Sequence, residues 1–268
     1  MPAINLARLK TQAARLSDKF GEPEAFLHDL NEVLDYYTNR TIRSTQTAKR
    51  LALPTYHTPA PVLRQIQFEL DPLAQSRPGE AVALVRALWK AKSLESRLLA
   101  ARLLGCIPPS HAIPVLSHLP DWLSQSTDKE IREALLMDAL ARLRHENPEG
   151  IYLILEDWLR SPLGSVQAWA MHALIPILDD PHFENLPGVF RILRPAIHSA
   201  GPLTQLELKA VLASLENVSR TETLAFLRET ISSNPTPLMK RTLHRILPGL
   251  SPELQNSLVG MLRDGEPK

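Results

Sequence analysis

The chain has 268 residues, 44% hydrophobic but only 5% aromatic, with 10 glycines, 23 prolines and one cysteine. Scarce glycine argues against an all-β fold with many tight turns, and the single Cys106 excludes an internal disulfide and any cysteine-rich zinc cluster. Lys and Arg total 30 against 29 acids, for a net charge near +1, so no global field draws the chain to nucleic acid or anionic lipid, and such binding needs a local basic patch.

Taken in order, the apolar spacing predicts helices near 3–19 and 23–38. The opening stretch MPAINLARLK lacks the apolar centre of a signal peptide. No apolar run nears the roughly 18 residues that span a bilayer. A cytoplasmic protein with no membrane partner is expected. Residues 38–68 then contain no acid, while Arg40, Arg43, Lys49, Arg50 and Arg64 are cationic. This segment reads either as a solvated helix and loop or as a patch that contacts phosphates.

Beyond it a weak repeat emerges. The segments VALVRALWKAKS, PVLSHLPDWLSQS, YLILEDWLRS, VFRILRPAIHS and LAFLRETIS are alike. Each ends on a large apolar residue, at Trp89, Trp122, Trp158, Ile197 and Ile231, in steps of 33, 36, 39 and 34 residues. That period belongs to helical hairpins. Second helices are expected over 93–107, 128–147, 163–179, 203–218 and 236–250. Thr127 with Glu130, Thr204 with Glu207, and Ser219 with Glu222 have capping-box spacing. Asn147-Pro148, Thr236-Pro237 and Ser251-Pro252 place a cap before a first-turn proline. Pro114, Pro120, Pro176, Pro195 and Pro248 should bend or end their helices.

The expected fold is all-α, a right-handed α-solenoid of HEAT-like helical hairpins. One domain spans 1–268, with residues 1–52 as a helical cap and basic segment and 53–268 as the hairpin repeats. Trp89, Trp122 and Trp158 should fill the core between repeats. Trp169 lies at the edge of its apolar stripe and is expected to pack at the core or its rim.

Common catalytic signatures are missing: there is no HExxH, GxxxxGK[ST], GxSxG or GxGxxG. His118 and Asp121 have i,i+3 spacing without a second pair, so no metal is expected. His172 reads as a hydrogen-bonded, partly buried residue, Asp179-Asp180 as a helix end, and Glu156-Asp157 as an exposed face.

The stretch LPTYHTPAPVLRQIQFEL followed by AVALVRALWKAKSLESRLLAARLLG resembles the DNA alkylation repair family, the AlkD-like HEAT-repeat glycosylases. Pro61, Leu63, Arg64, Leu88, Trp89, Glu95, Arg97, Leu98 through Ala100 and Leu104 carry the likeness, which covers about residues 53–105. Such proteins excise cationic alkylated bases, and an aspartate and aromatic rings in their groove stabilise the cationic sugar. The resemblance implies Asp138, in LLMDAL, as that aspartate and Trp169, in WAMHAL, as one of the rings. Ala134 stands where a first tryptophan is expected, and His172 where an arginine is expected. Double-stranded DNA is then the expected partner, held by Arg40, Arg43, Lys49, Arg50 and Arg64, with no small-molecule cofactor. Near-neutral charge also fits a non-catalytic scaffold that takes a protein or peptide in its groove.

Overall fold

The computed structural model describes residues 5–38 and 53–263. Among them all regular structure is helical and no strand occurs, in keeping with the expected all-α class. None of these helices is long and apolar enough to cross a membrane. The chain divides into two compact units between Asn147 and Pro148.

The first unit contains α1 (Leu6–Asp18), α2 (Pro23–Tyr36), α3 (Ala60–Ser76), α4 (Pro78–Lys90), α5 (Leu94–Leu104), α6 (Pro109–Leu116), α7 (Leu119–Gln125), α8 (Lys129–Met137) and α9 (Ala141–Glu146). Helices pack in two rows. In one, α4 touches α2 and α6; in the other, α3 touches α1, and α5 touches α3 and α8. The α4–α5 hairpin joins the rows. Helix α5 is therefore covered by neighbours from several sides, and eight of its eleven residues are buried.

The second unit contains α10 (Pro148–Leu159), α11 (Gly164–Leu178), α12 (Leu186–Ser199), α13 (Gln205–Ser233), α14 (Pro237–Ile246) and α15 (Pro252–Arg263). Here α10 packs on α11 and α12, and α11 on α13. Helix α13 changes course at Ser219, whose backbone is extended (φ −155°, ψ 103°). Its first half reaches α11, where Glu207 meets His172. Its second half reaches α12, where Phe226 stacks on Phe190 with ring centroids 4.3 Å apart.

The repeat position identified from sequence is the core. Trp89, Trp122, Trp158, Ile197 and Ile231 are all at most 9% exposed. Several polar links in the second unit also step by about one repeat. Arg191 donates to Glu156 at 2.8 Å, Arg194 to Glu229 at 2.9 Å and Arg220 to Glu253 at 3.0 Å. Each joins corresponding faces of successive hairpins. The outermost of these pairs are exposed, so they set register more than stability.

The capping signals divide by what else competes for the cap. Thr236 accepts from the Met239 amide at 3.2 Å and Ser251 from Leu254 at 3.4 Å, both ahead of a first-turn proline. Ser219 accepts from Glu222 at 3.5 Å. The Thr204 hydroxyl instead bonds Gly201, accepting its amide at 3.0 Å and donating to its carbonyl at 3.1 Å. Glu207, its expected partner, is turned to His172 at 3.0 Å. Thr127 is not a cap either: α8 starts behind Asp128, which makes no side-chain capping bond.

A larger departure concerns the helix expected over 128–147. It breaks at residues 138–140 into α8 and α9. The Asp138 and Ala139 amides both donate to the Ala134 carbonyl, at 2.9 and 3.0 Å. The carbonyls of Leu136 and Met137, which lose their helical partners, accept from the Arg144 guanidinium at 3.2 and 2.6 Å. A single arginine thus satisfies the opened turn.

The Asp138 cluster as candidate functional site

The break in the α8–α9 region presents Asp138. Its side chain is 44% exposed and pairs with the Arg102 Nε of α5 at 3.4 Å. A glycine lets α5 come this close. A Cβ on Gly105 would collide with the Asp138 carbonyl oxygen. The C-terminal end of α5 therefore seats directly on the backbone of the break.

Around this contact lies a polar cluster drawn from α3, α5, α9 and the turn after α5. The Cys106 thiol, in that turn, donates to Asp71 Oδ1 on α3 at 3.1 Å. The Cys106 carbonyl accepts from Arg142 on α9 at 2.6 Å, and Arg142 also donates to Glu146 at 2.8 Å. Burial pushes the Asp71 carboxyl above its ordinary range, with the thiol bond pulling it back. Burial and then Asp71 push the Cys106 thiol up to about 12. The folded state thus holds the thiol proton more tightly than the unfolded chain. Its contribution to stability is present below the ordinary value near 9.0 and is lost as pH rises towards about 12. At pH 8 the native thiol should react with an alkylating reagent about a thousandfold more slowly than in the denatured chain. Equal rates in the two states would mean that the thiol is not held in this way.

The arginines here have different availability. Arg144 is committed to two carbonyls, and its burial lowers its pKa although Asp138 opposes this. Arg142 is committed to Cys106 and Glu146. Arg102, 25% exposed, is occupied by Asp138 alone among the ion pairs it makes in the described residues. The cluster offers a half-exposed carboxylate held in place by one guanidinium, which offsets part of its charge.

Arg64 is exposed near the start of α3, in the same row as α5 and α8. Arg40, Arg43, Lys49 and Arg50 lie outside the described residues. Trp169 belongs to the second unit and is half-buried on α11, with Val166, Ala170, Ala173 and Leu174 buried beside it. His172, one turn on, is partly buried and lies 3.0 Å from Glu207, as expected of a hydrogen-bonded histidine.

One expectation is corrected. Glu156 is 9% exposed and accepts from Arg160 at 2.6 Å and Arg191 at 2.8 Å. Its neighbour Asp157 is exposed as expected. Two guanidiniums offset the cost of burying one carboxylate, so helical position alone misjudged it.

Several features escaped sequence reasoning. Glu95, 2% exposed, accepts from the Thr55 hydroxyl at 2.8 Å and the Tyr56 amide at 2.9 Å. It fastens the loop before α3 to the start of α5. His28, Asp29 and Glu32 offer donor atoms close together on α2. Lys19 already holds Asp29 at 2.7 Å and lowers its pKa through that bond. Phe68 is 70% exposed in the middle of α3. Helical periodicity alone could have flagged it as off the apolar stripe.

Comparison with known proteins yields no matching family model, no matching curated relative and no matching solved structure.

Proposed function

We propose that this chain is a right-handed, HEAT-like α-solenoid that binds double-stranded DNA and excises alkylated bases. The observation that carries the reading is Asp138, a half-exposed carboxylate held by Arg102 at an opened helical turn. Excising a cationic base leaves positive charge on the sugar, and a fixed carboxylate lowers the cost of that charge. The resemblance also assigns a role to Trp169, whose π-face would favour a cation. The exposed Arg64, with Arg40, Arg43, Lys49 and Arg50, binds the phosphates. The resemblance over residues 53–105 supports the same reading, as do the hairpin packing of each unit and the repeat-spaced links of the second.

Asp138→Asn removes the charge and keeps the shape. Release of 7-methylguanine from methylated DNA should fall at least about a hundredfold. Thermal stability should change little, because a half-exposed ion pair contributes at most about 1 kcal/mol. If the wild-type protein neither releases alkylated base nor shifts DNA at low salt, the proposal is wrong.

A second reading, a scaffold for a protein partner, has its own observation. In the second unit a groove of about 490 Å³ runs between the turns after α10 and α12. Leu203 lines it at 71% exposure, and Leu163 and Leu206 stand nearby at 60% and 73%. Exposed leucines grouped in this way fit an apolar partner surface. A partner retained after nuclease treatment and lost in Leu203→Asp favours the scaffold, whereas a partner retained by that variant removes the groove from the argument.

A further inference from the structure

We infer that Phe68 is a base-stacking residue of the nucleic-acid surface, and that the group it takes is an unpaired nucleobase. This rests on the DNA-binding reading above and specifies its ligand.

The starting observation is a phenylalanine facing water in mid-helix. On α3 Val62, Leu63, Ile66 and Leu70 are at most 5% exposed, while Phe68 is 70% exposed. It makes no ring contact among the described residues. Its neighbours on the helix surface are informative. Exposed Arg64 lies four residues before it and Asp71 three residues after it, which places all three along one stripe.

That stripe connects to the candidate site by direct bonds. Asp71 accepts from Cys106, Cys106 lies one turn beyond Arg102, and Arg102 pairs with Asp138. Phe68 thus lies on the helix that is bonded to the candidate site, and α3, α5 and α8 follow one another in the same row.

The chemistry of the stripe selects the ligand. Phosphate contacts hold any DNA alike and do not distinguish a paired from an unpaired base. Committed arginines such as Arg142 and Arg144 add little more. An aromatic face beside one exposed cation is the arrangement by which proteins hold unpaired bases: the ring stacks on the base and the cation takes the adjacent phosphate. A fully stacked duplex offers no base face, so the preferred DNA is one carrying a bulged or otherwise unpaired nucleotide.

The test compares a labelled, fully paired duplex with the same duplex carrying one bulged nucleotide, over a series of salt concentrations. The full-length protein should prefer the bulged DNA. Phe68→Ala should reduce that preference about tenfold, leaving the salt dependence unchanged. Phe68→Trp should keep the preference, since it retains a ring. Arg64→Ala should weaken both DNAs alike and lower the salt slope by about one. Unchanged melting temperatures will show that the exposed substitutions leave the fold intact. If the wild type binds DNA with no preference for the bulge, or if Phe68→Ala keeps the preference, the stacking role is overturned while DNA binding stands. If the wild type binds neither DNA, the proposed function fails and this inference fails with it.

Discussion

Trp89→Ala should destabilise the first unit by about 4 kcal/mol, within the range for removing a large buried ring. Trp89 is 6% exposed at the end of α4 and stacks on Trp122 with centroids 4.4 Å apart and planes 11° from parallel. The Arg97 guanidinium lies 4.7 Å from the ring centroid on top of this pair. Alanine would leave a cavity, strip Trp122 of its partner and remove the surface on which Arg97 rests. Arg97 is itself partly desolvated, as its lowered pKa indicates. Urea unfolding followed by far-UV circular dichroism will measure the loss. The double variant with Trp122→Ala should fall short of the sum of the single variants by about 1 kcal/mol, because each single change already destroys the stack. A loss below about 1 kcal/mol for Trp89→Ala, or strict additivity, would mean that the stack is not a cohesive element.

Gly105→Ala should cost about 3 kcal/mol, at the upper end for overpacking a close contact. Its φ of −68° is ordinary for any residue, so the cost is not one of backbone conformation. The new Cβ would meet the Asp138 carbonyl, which is backbone and has no rotamer to move to. Relief requires α5 to separate from the opened turn, and that movement displaces the Asp138 carboxylate from Arg102. Stability and the base excision proposed above should therefore fall together. Gly79→Ala is the control. Its added Cβ meets nothing within 4 Å in the first turn of α4, and the change should be neutral or stabilising by up to about 1 kcal/mol. If both variants melt alike, the contact between α5 and the break is looser than described.

Much of the architecture could be read from apolar spacing, because each helix buries one side and its residues recur at helical intervals. The positions of Trp89, Trp122 and Trp158 show this, each closing a first helix and each buried. Punctuation was legible where a cap residue precedes a proline, as at Thr236 and Ser251. It was not legible where a cap residue had a better partner at hand, as at Thr204 and Glu207. The candidate site was legible only as a residue. Asp138 is named by its resemblance to a family motif, but the broken turn that exposes it leaves no helix-breaking proline or glycine between 128 and 147. The signal lies in Gly105, 33 residues earlier.

The local order of apolar, capping and proline residues by itself determined that this chain forms helices in paired units. Those preferences act over a few residues and need no partner to be expressed. Tertiary structure alone decided which charges are available. Glu156 sinks beneath two arginines, Arg142 and Arg144 turn inward to carbonyls, and Asp138 and Phe68 are left facing outward. For Glu156 and Arg142 a deciding contact comes from some 35 residues away, and no local pattern records that encounter.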